Sequence, residues 1–177
     1  MLLTMDHCDD CGFTYADHSR PGIAQEIHDL AGRYRSVLTD AAIDETRLRI
    51  RPAPGVWSPV EYGCHVRDVL LAQRERLLLA LVEDEPTFVP IYRDQRAALA
   101  RYSDEASGQV ASEITLAAEL LAWVLIGLAG PDWQRTCVYT YPEPSVRTLL
   151  WLAQHTLHEG EHHLKDIERA TSAMGER

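Results

Sequence analysis

Basic side chains are scarce in this sequence. Its 177 residues contain 17 Lys and Arg against 27 Asp and Glu, which gives a formal net charge of -10. A surface that binds nucleic acid needs clustered Lys and Arg to neutralise phosphate groups. The charge balance therefore predicts that nucleic acid is not a partner.

Long apolar segments are missing as well. Residues 1–10 carry three acidic side chains and lack the basic stretch and apolar run of a signal peptide. The most apolar run, 116–129, has about fourteen residues and includes Glu119, whereas a membrane-spanning helix needs roughly twenty apolar residues. We therefore predict a cytoplasmic protein with no membrane partner, in which this run is a core helix.

Cysteine is sparse, and its four copies are too unevenly placed for a disulfide framework. Cys8 and Cys11 form a Cys-x-x-Cys followed by Gly12, which is the form of a zinc knuckle. The pair predicts a second metal site, or a share in another one, while a reactive dithiol and free thiols without a role are the alternatives. The side chains available to complete a site are His7, His18, Cys137, His155 and His163, or the knuckle closes over the histidine site described below.

Helical periodicity is what the sequence does contain. With 46% hydrophobic residues, the chain is long enough to bury one core. Apolar spacing predicts four long helices, at about 22–40, from Ser58 to about Leu81, at 110–129, and from Ser145 to about Ala170. A shorter helix through Tyr92 and Tyr102 is closed by Ser107-Gly108, and residues 44–55 form an irregular crossover, extended around 48–50.

These elements predict an all-α fold, a four-helix bundle with long crossover connections. The bundle spans residues 22–170, after an extension at 1–21 that carries the Cys-x-x-Cys and before a flexible tail at 171–177. Its clearest start signal is a capping box, Ser58-Pro59-Val60-Glu61, with Ser at the N-cap and Glu at the third helical position. Ser145 is a second candidate N-cap.

Histidines on two of these helices are candidate metal ligands. His158 and His162 lie one turn apart on the last helix, the spacing that lets two imidazoles share a metal. His155 makes a competing pair with His158, whereas His163 points about 100° away from His162. His65, about two turns into the capped helix, is the candidate third ligand. Glu61 or Asp68 is available to orient its imidazole.

Two segments together resemble the DinB/YfiT superfamily, which includes mycothiol-dependent maleylpyruvate isomerases and bacillithiol transferases. They are residues 57–68 (WSPVEYGCHVRD) and 158–167 (HEGEHHLKDI). The resemblance covers residues 22–170 and implies a four-helix bundle with a three-histidine metal site open to solvent on one side. On this sequence the implied ligands are His65, His158 and His162. Many members carry a Gln shortly after the last ligand, where this sequence has Lys165-Asp166.

Three imidazoles leave a coordination position open, which is typical of a catalytic metal. Zn²⁺ fits imidazole ligands best, and Ni²⁺, Fe²⁺ and Mn²⁺ are compatible with them. A thiol in the open position would be stabilised as thiolate, and the resemblance implies a metal-dependent thiol S-transferase or isomerase with a low-molecular-weight thiol such as mycothiol as cosubstrate. Water there would give a metal-dependent hydrolase. The rivals are a non-catalytic metal-binding stress-response protein and a bundle with no metal.

Two further predictions concern the walls of the site and the assembly. Candidate aromatic walls are Trp57, Trp151, Tyr139 and Tyr141, and candidate groups for the carboxylates of a thiol cofactor are Arg67 and Arg147. The apolar helices at 110–129 and 146–170 have more apolar surface than one core needs. Because relatives in the superfamily often pair through bundle helices, we predict a homodimer.

Overall fold

A computed structural model describes residues 7–175 of the chain. Four long helices pack against one another, which confirms the predicted all-α four-helix bundle with its N-terminal Cys-x-x-Cys. The helices and strands, in chain order, are α1 (Ile23–Leu38), α2 (Glu45–Leu48), α3 (Pro59–Val82), β1 (Thr87–Phe88), α4 (Arg93–Leu99), α5 (Ser107–Gly127), β2 (Thr136–Tyr139), β3 (Ser145–Thr148) and α6 (Leu149–Gly175). The bundle consists of α1, α3, α5 and α6.

Helix α3 begins at the predicted capping box. The Ser58 hydroxyl accepts a hydrogen bond from the Glu61 amide at 3.3 Å, and the Glu61 carboxylate accepts one from the Ser58 amide at 2.8 Å. Arg51 pairs with the same carboxylate at 2.6 Å. Burial by itself would raise the pKa of Glu61, but Arg51 and the cap hold it below its usual value. This carboxylate is therefore committed to the start of the helix.

Helix α5 is the most apolar element of the bundle. By length and composition it could cross a membrane, but the core helix of a soluble protein meets the same criterion. Val110, Ile114 and Leu121 are buried where α5 packs against α1 and α3, as the predicted core helix requires. Its opposite face exposes large apolar side chains, which are Leu116, Leu120, Trp123 and Ile126.

The last helix begins at Leu149 and not at Ser145 as predicted, because a small sheet beside the bundle includes residues 145–148. Ser145 begins strand β3 instead of capping a helix, because β3 pairs antiparallel with β2 over Thr136↔Thr148 to Tyr139↔Ser145. Strand β1 pairs parallel with β2 on its other edge. The Thr148 hydroxyl accepts a hydrogen bond from the Trp151 amide at 3.2 Å, and thus takes over the predicted role of Ser145.

Three connections also differ from the prediction. Leu48 ends the helical turn α2, capped by Asp44, so the chain is not extended there. Ser107 begins α5 instead of closing the preceding helix, because its amide donates to Glu45 at 3.0 Å. The predicted short helix divides into α4 and a 3₁₀ turn at Tyr102–Asp104. Helix α6 runs on to Gly175, so most of the predicted tail is helical; residues 176–177 of that tail and 1–6 of the predicted extension lie outside the described residues.

Candidate metal centre

Helix α6 carries two pairs of side chains of the kinds that can bind a metal, each pair one helical turn apart. His158 and His162 form one pair, and Glu159 and His163 form the other. Because consecutive residues of a helix are about 100° apart around its axis, the two pairs face different neighbours. The helix therefore contributes to two adjacent clusters.

The first cluster joins the second pair to helix α3. The donor atoms of His65, Glu159 and His163 all lie within 4.8 Å of one another. Nε2 of His65 lies 3.7 Å, and Nε2 of His163 3.8 Å, from the same carboxylate oxygen, Oε2 of Glu159. Two ligands of one tetrahedral zinc stand about 3.4 Å apart. The distances between the three donors are thus close to those required for sharing one metal ion.

The His65 imidazole has the surroundings of a ligand. Its residue is only 3% exposed, and neither ring nitrogen has a hydrogen-bond partner among the described residues. The ring packs against Trp57 and His163, with centroids 5.4 and 4.9 Å away. Burial lowers the pKa of His65, although the Glu159 carboxylate opposes this shift. A buried polar group without a partner is costly, and a neutral imidazole is what a metal binds.

Asp166 orients the other imidazole of this cluster. Its Oδ2 lies 3.0 Å from Nδ1 of His163, so Nδ1–H donates to the carboxylate and the lone pair of Nε2 faces Glu159. A carboxylate that fixes the tautomer of a histidine in this way is typical of metal centres. Burial alone would raise the pKa of Asp166, but the bond to His163 lowers it. The resemblance implied no role for Asp166, which lies where many members of the superfamily carry a Gln.

The two acids predicted to orient His65 are engaged elsewhere. Glu61 caps α3 and pairs with Arg51. Asp68 accepts hydrogen bonds from the Tyr102 hydroxyl at 2.7 Å and from Arg67 at 2.9 Å. Burial alone would raise the pKa of Glu159, but His65 and the neighbouring imidazoles of α6 hold it well below its usual value. Glu159 is therefore the acid that faces His65.

The second cluster joins the other pair to the N-terminal cysteines. The donor atoms of Cys8, Cys11, His158 and His162 also lie within 4.8 Å of one another. Nδ1 of His162 is 3.7 Å from the Cys8 sulfur. Nε2 of His158 is buried without a hydrogen-bond partner, and burial lowers the pKa of this imidazole to about 4. The knuckle thus closes over the predicted histidine pair, one of the arrangements left open by the sequence.

The predicted triad is consequently divided. His65 lies with Glu159 and His163, whereas His158 and His162 lie with the cysteines. Glu159 was not among the predicted ligands, because the resemblance implied three histidines. The signal was present in the run of residues 158–163, which contains two pairs at i, i+4 spacing instead of one.

His155, the predicted competitor, lies between the two clusters. The Tyr15 hydroxyl is 2.8 Å from Nδ1 of His155 and 3.2 Å from Nδ1 of His158. Nε2 of His155 is 3.8 Å from Oε1 of Glu159, and its ring stacks on Trp151 at 4.5 Å. Two further sets of residues overlap with the two clusters, and within each set the donor atoms lie within 4.8 Å of one another. One set is His155, His158 and Glu159, and the other is His162, His163 and Asp166. Tyr15 and His155 therefore connect the side chains of one cluster with those of the other.

Residues of both clusters line one cavity of about 540 Å³. Tyr139 and Tyr141 form part of its wall, as predicted, together with the segment 90–95. Arg67 is bound to Asp68, Glu105 and Glu113 in an ion-pair network away from this wall. Arg147 lies over the Trp151 ring at 4.7 Å. The arginine that does line the cavity is Arg93, which sequence reasoning did not single out.

Comparisons with known proteins agree with this architecture. The family model of the DinB superfamily matches residues 26–167. YfiT from Bacillus subtilis, described as a probable metal-dependent hydrolase with an unusual four-helix bundle topology, has a similar structure. The TM-score is 0.77, with 16% identity over 88% of this chain and 87% of that one. Mycothiol-dependent maleylpyruvate isomerase is similar with a TM-score of 0.67 and 14% identity over 88% of this chain. A histidine-to-alanine mutant of that isomerase gives 0.68 and 13%.

These structural similarities concern the fold alone, because the identities are low. This chain spans only 63% of the length of the isomerase. Among curated proteins no sequence matches it.

Proposed function

The chain belongs to the DinB superfamily, and from that premise we propose that it is a metal-dependent enzyme that activates a low-molecular-weight thiol for S-transfer or isomerisation. The observation that carries the proposal is the cluster of His65, Glu159 and His163 on the wall of a cavity of about 540 Å³. We propose these three residues as the ligands of the catalytic metal, in place of the triad His65, His158 and His162.

The donor set suits a divalent cation. Two neutral imidazoles and one carboxylate bind Zn²⁺ well, and Fe²⁺, Mn²⁺ and Ni²⁺ accept the same ligands. Three protein ligands leave a position for a substrate atom. The metal, when bound, supplies a Lewis acid that stabilises a thiolate at neutral pH.

The protein's own residues prepare the site for that chemistry. Asp166 holds the tautomer and direction of His163, and His155 lies against the other oxygen of Glu159. Tyr139, Tyr141 and the segment 90–95 form part of the cavity wall beside these ligands. Arg93 offers a cation on the same wall, which favours a thiol or an electrophile that carries a carboxylate. Mycothiol is the cosubstrate we propose to test first, by likeness to the isomerase.

Metal binding is tested by alanine substitution of the three proposed ligands. His65→Ala, Glu159→Ala and His163→Ala should each lower the metal content by up to one equivalent, because each removes one of only three protein donors. His28→Ala, on the partly buried face of α1, is the matched control and should leave the content unchanged. Elemental analysis of protein purified without chelators gives the measurement. Full metal content in the three variants would show that the ligand assignment is wrong.

Turnover then separates the possible activities. The proposed enzyme should consume mycothiol together with an electrophile, and the rate should follow metal content across the variants. A hydrolase, the second candidate, is favoured by the same open metal site, because water in the open position would be activated in the same way. Hydrolysis of ester or amide substrates without any thiol would replace the transferase proposal. A metal-loaded protein with neither activity would support the non-catalytic, stress-response alternative.

The same proposal bears on location. Free cysteines and low-molecular-weight thiols belong together in reducing compartments. We therefore propose that the protein works in the cytoplasm.

A further inference from the structure

We infer that Cys8, Cys11, His158 and His162 form a second and closed zinc site, which fastens the N-terminal hairpin to helix α6. The inference concerns side chains outside the proposed catalytic cluster. It assigns a structural metal to the cysteine pair, next to the cavity but separate from the open position.

The backbone around the cysteines already has the shape of a zinc knuckle. The Cys8 amide donates to the Phe13 carbonyl at 2.9 Å, and the Gly12 amide donates to the Cys8 carbonyl at 2.7 Å. Gly12 has a φ of +72°, a conformation that side chains other than glycine rarely adopt. His7 and Thr14 form an antiparallel bridge at the base of the turn. This tight hairpin brings both sulfurs to one side of the chain, where they face α6.

Helix α6 supplies the other half of the site. His158 and His162 are one turn apart, which is the spacing of a histidine pair in tetrahedral zinc sites. The Tyr15 hydroxyl engages Nδ1 of His158 at 3.2 Å, which leaves the buried and unpartnered Nε2 for a metal. Nδ1 of His162 lies 3.7 Å from the Cys8 sulfur. Two thiolates and two imidazoles fill a tetrahedral shell, so this site has no position for a substrate.

Hydrogen bonds from α6 hold the hairpin in the place where such a site is possible. The Lys165 ammonium donates to the Cys11 carbonyl, and Arg169 donates to the Asp10 carbonyl at 2.8 Å. Gln154 donates to the carbonyls of Tyr15 and His18 at 3.0 and 2.8 Å. These hydrogen bonds engage backbone carbonyl groups and leave the cysteine sulfurs available to bind zinc.

The site has a consequence for the cavity. Cys8 and His162 both line it, so a zinc ion between them would fix one wall. Each histidine of the second site is also the chain neighbour of a proposed catalytic ligand, His158 of Glu159 and His162 of His163. Zinc would therefore hold α6 in the rotation that directs Glu159 and His163 towards His65.

X-ray absorption at the zinc edge is the direct test. We would load the His65→Ala/His163→Ala protein with zinc, so that the second site is observed without the first. The expected spectrum has two sulfur ligands at about 2.3 Å and two nitrogen ligands at about 2.0 Å. Zinc with only nitrogen and oxygen ligands, or no bound zinc, would overturn the inference.

Metal content gives a second measurement on the otherwise unaltered protein. The wild type should bind two equivalents, and Cys8→Ser/Cys11→Ser should lose one of them. Cys137→Ser, the same chemical change at a buried cysteine outside the cluster, should lose none. Circular dichroism checks that each variant is folded. Free reaction of Cys8 and Cys11 with a thiol reagent in the zinc-loaded wild type would contradict the inference.

The two proposals fail in different ways. If His65→Ala/His163→Ala keeps its full metal content while the sulfur-ligated zinc is present, the catalytic assignment fails and the structural site stands. If Cys8→Ser/Cys11→Ser keeps both equivalents, the structural site fails and the catalytic assignment is unaffected. If either pair of substitutions removes all metal, the clusters share one ion, and the inference of a separate closed site is wrong.

Discussion

Asp166 provides the sharpest test of the catalytic cluster at the level of a single residue. Asp166→Asn keeps the shape of the side chain but removes the charge that accepts the Nδ1–H of His163. The loss of such a partner lowers metal affinity by about 10- to 100-fold. The affinity should be measured by competition with a chromogenic chelator in the Cys8→Ser/Cys11→Ser background, because Oδ2 of Asp166 also lies 3.7 Å from Nε2 of His162.

The control for this prediction is Asp29→Asn, which makes the same chemical change on the exposed face of α1. It should leave the affinity unchanged. Equal affinities for Asp166→Asn and its parent protein would show that Asp166 does not support a metal ligand.

The site could be predicted from the sequence only as far as its residue types. The histidines of α6 and His65 were identified because their spacing and helix placement are local properties. The choice between the pair at 158 and 162 and the pair at 159 and 163 depends on how far α6 is rotated against α3. That rotation results from packing across the bundle, which no local pattern contains. The contact between Cys8 and His162 also joins residues near opposite ends of the chain, so no local pattern predicts it.

At the scale of the elements, a glycine allows helices α1 and α6 to approach each other closely. A Cβ atom added to Gly160 would lie 2.2 Å from Cδ2 of Leu30, and the Gly160 carbonyl accepts a hydrogen bond from the Tyr34 hydroxyl at 2.8 Å. Gly160→Ala should therefore lower the free energy of unfolding by about 1–3 kcal/mol, as overpacking of a core does. Thermal and denaturant unfolding, followed by circular dichroism, measure the change.

The matched control is Gly32→Ala in helix α1, where nothing lies within 4 Å of the added atom. This substitution should raise the free energy of unfolding by about 0.5–1 kcal/mol, because alanine favours the helix. If both variants were stabilised alike, the contact between α1 and α6 would be looser than the structure indicates.

The elements also show why some boundaries were predictable and others were not. The capping box at Ser58 and Glu61 is complete within four residues, and α3 begins at the position predicted from it. Ser145 looked like another cap, but pairing of β3 with β2 made it part of a strand. Strand pairing depends on a partner elsewhere in the chain, so it cannot be predicted from local propensity alone.

For the whole molecule, the remaining question is assembly. The homodimer was predicted from the apolar character of two helices, and the structure distinguishes them. Among the described side chains of α6, up to residue 172, none of the large apolar ones is exposed. On α5, Leu116, Leu120, Trp123 and Ile126 recur at helical spacing along one exposed face. We therefore propose that the dimer forms through α5 alone.

Trp123 is the residue that tests this proposal because, at 78%, it is the most exposed of the four side chains on that face. In a two-fold dimer the face packs against its own copy, so each substitution acts twice. Trp123→Glu should convert the dimer to a folded monomer, whereas Leu99→Glu on α4, where the leucine is 85% exposed, should remain dimeric. The reason is that the two buried glutamates would carry like charges, which no cation in this stripe of Leu, Trp and Ile could neutralise. Light scattering at micromolar concentration measures the mass. A monomeric wild type would therefore contradict the proposed dimer. A Trp123→Glu protein that stays dimeric would place the contact elsewhere.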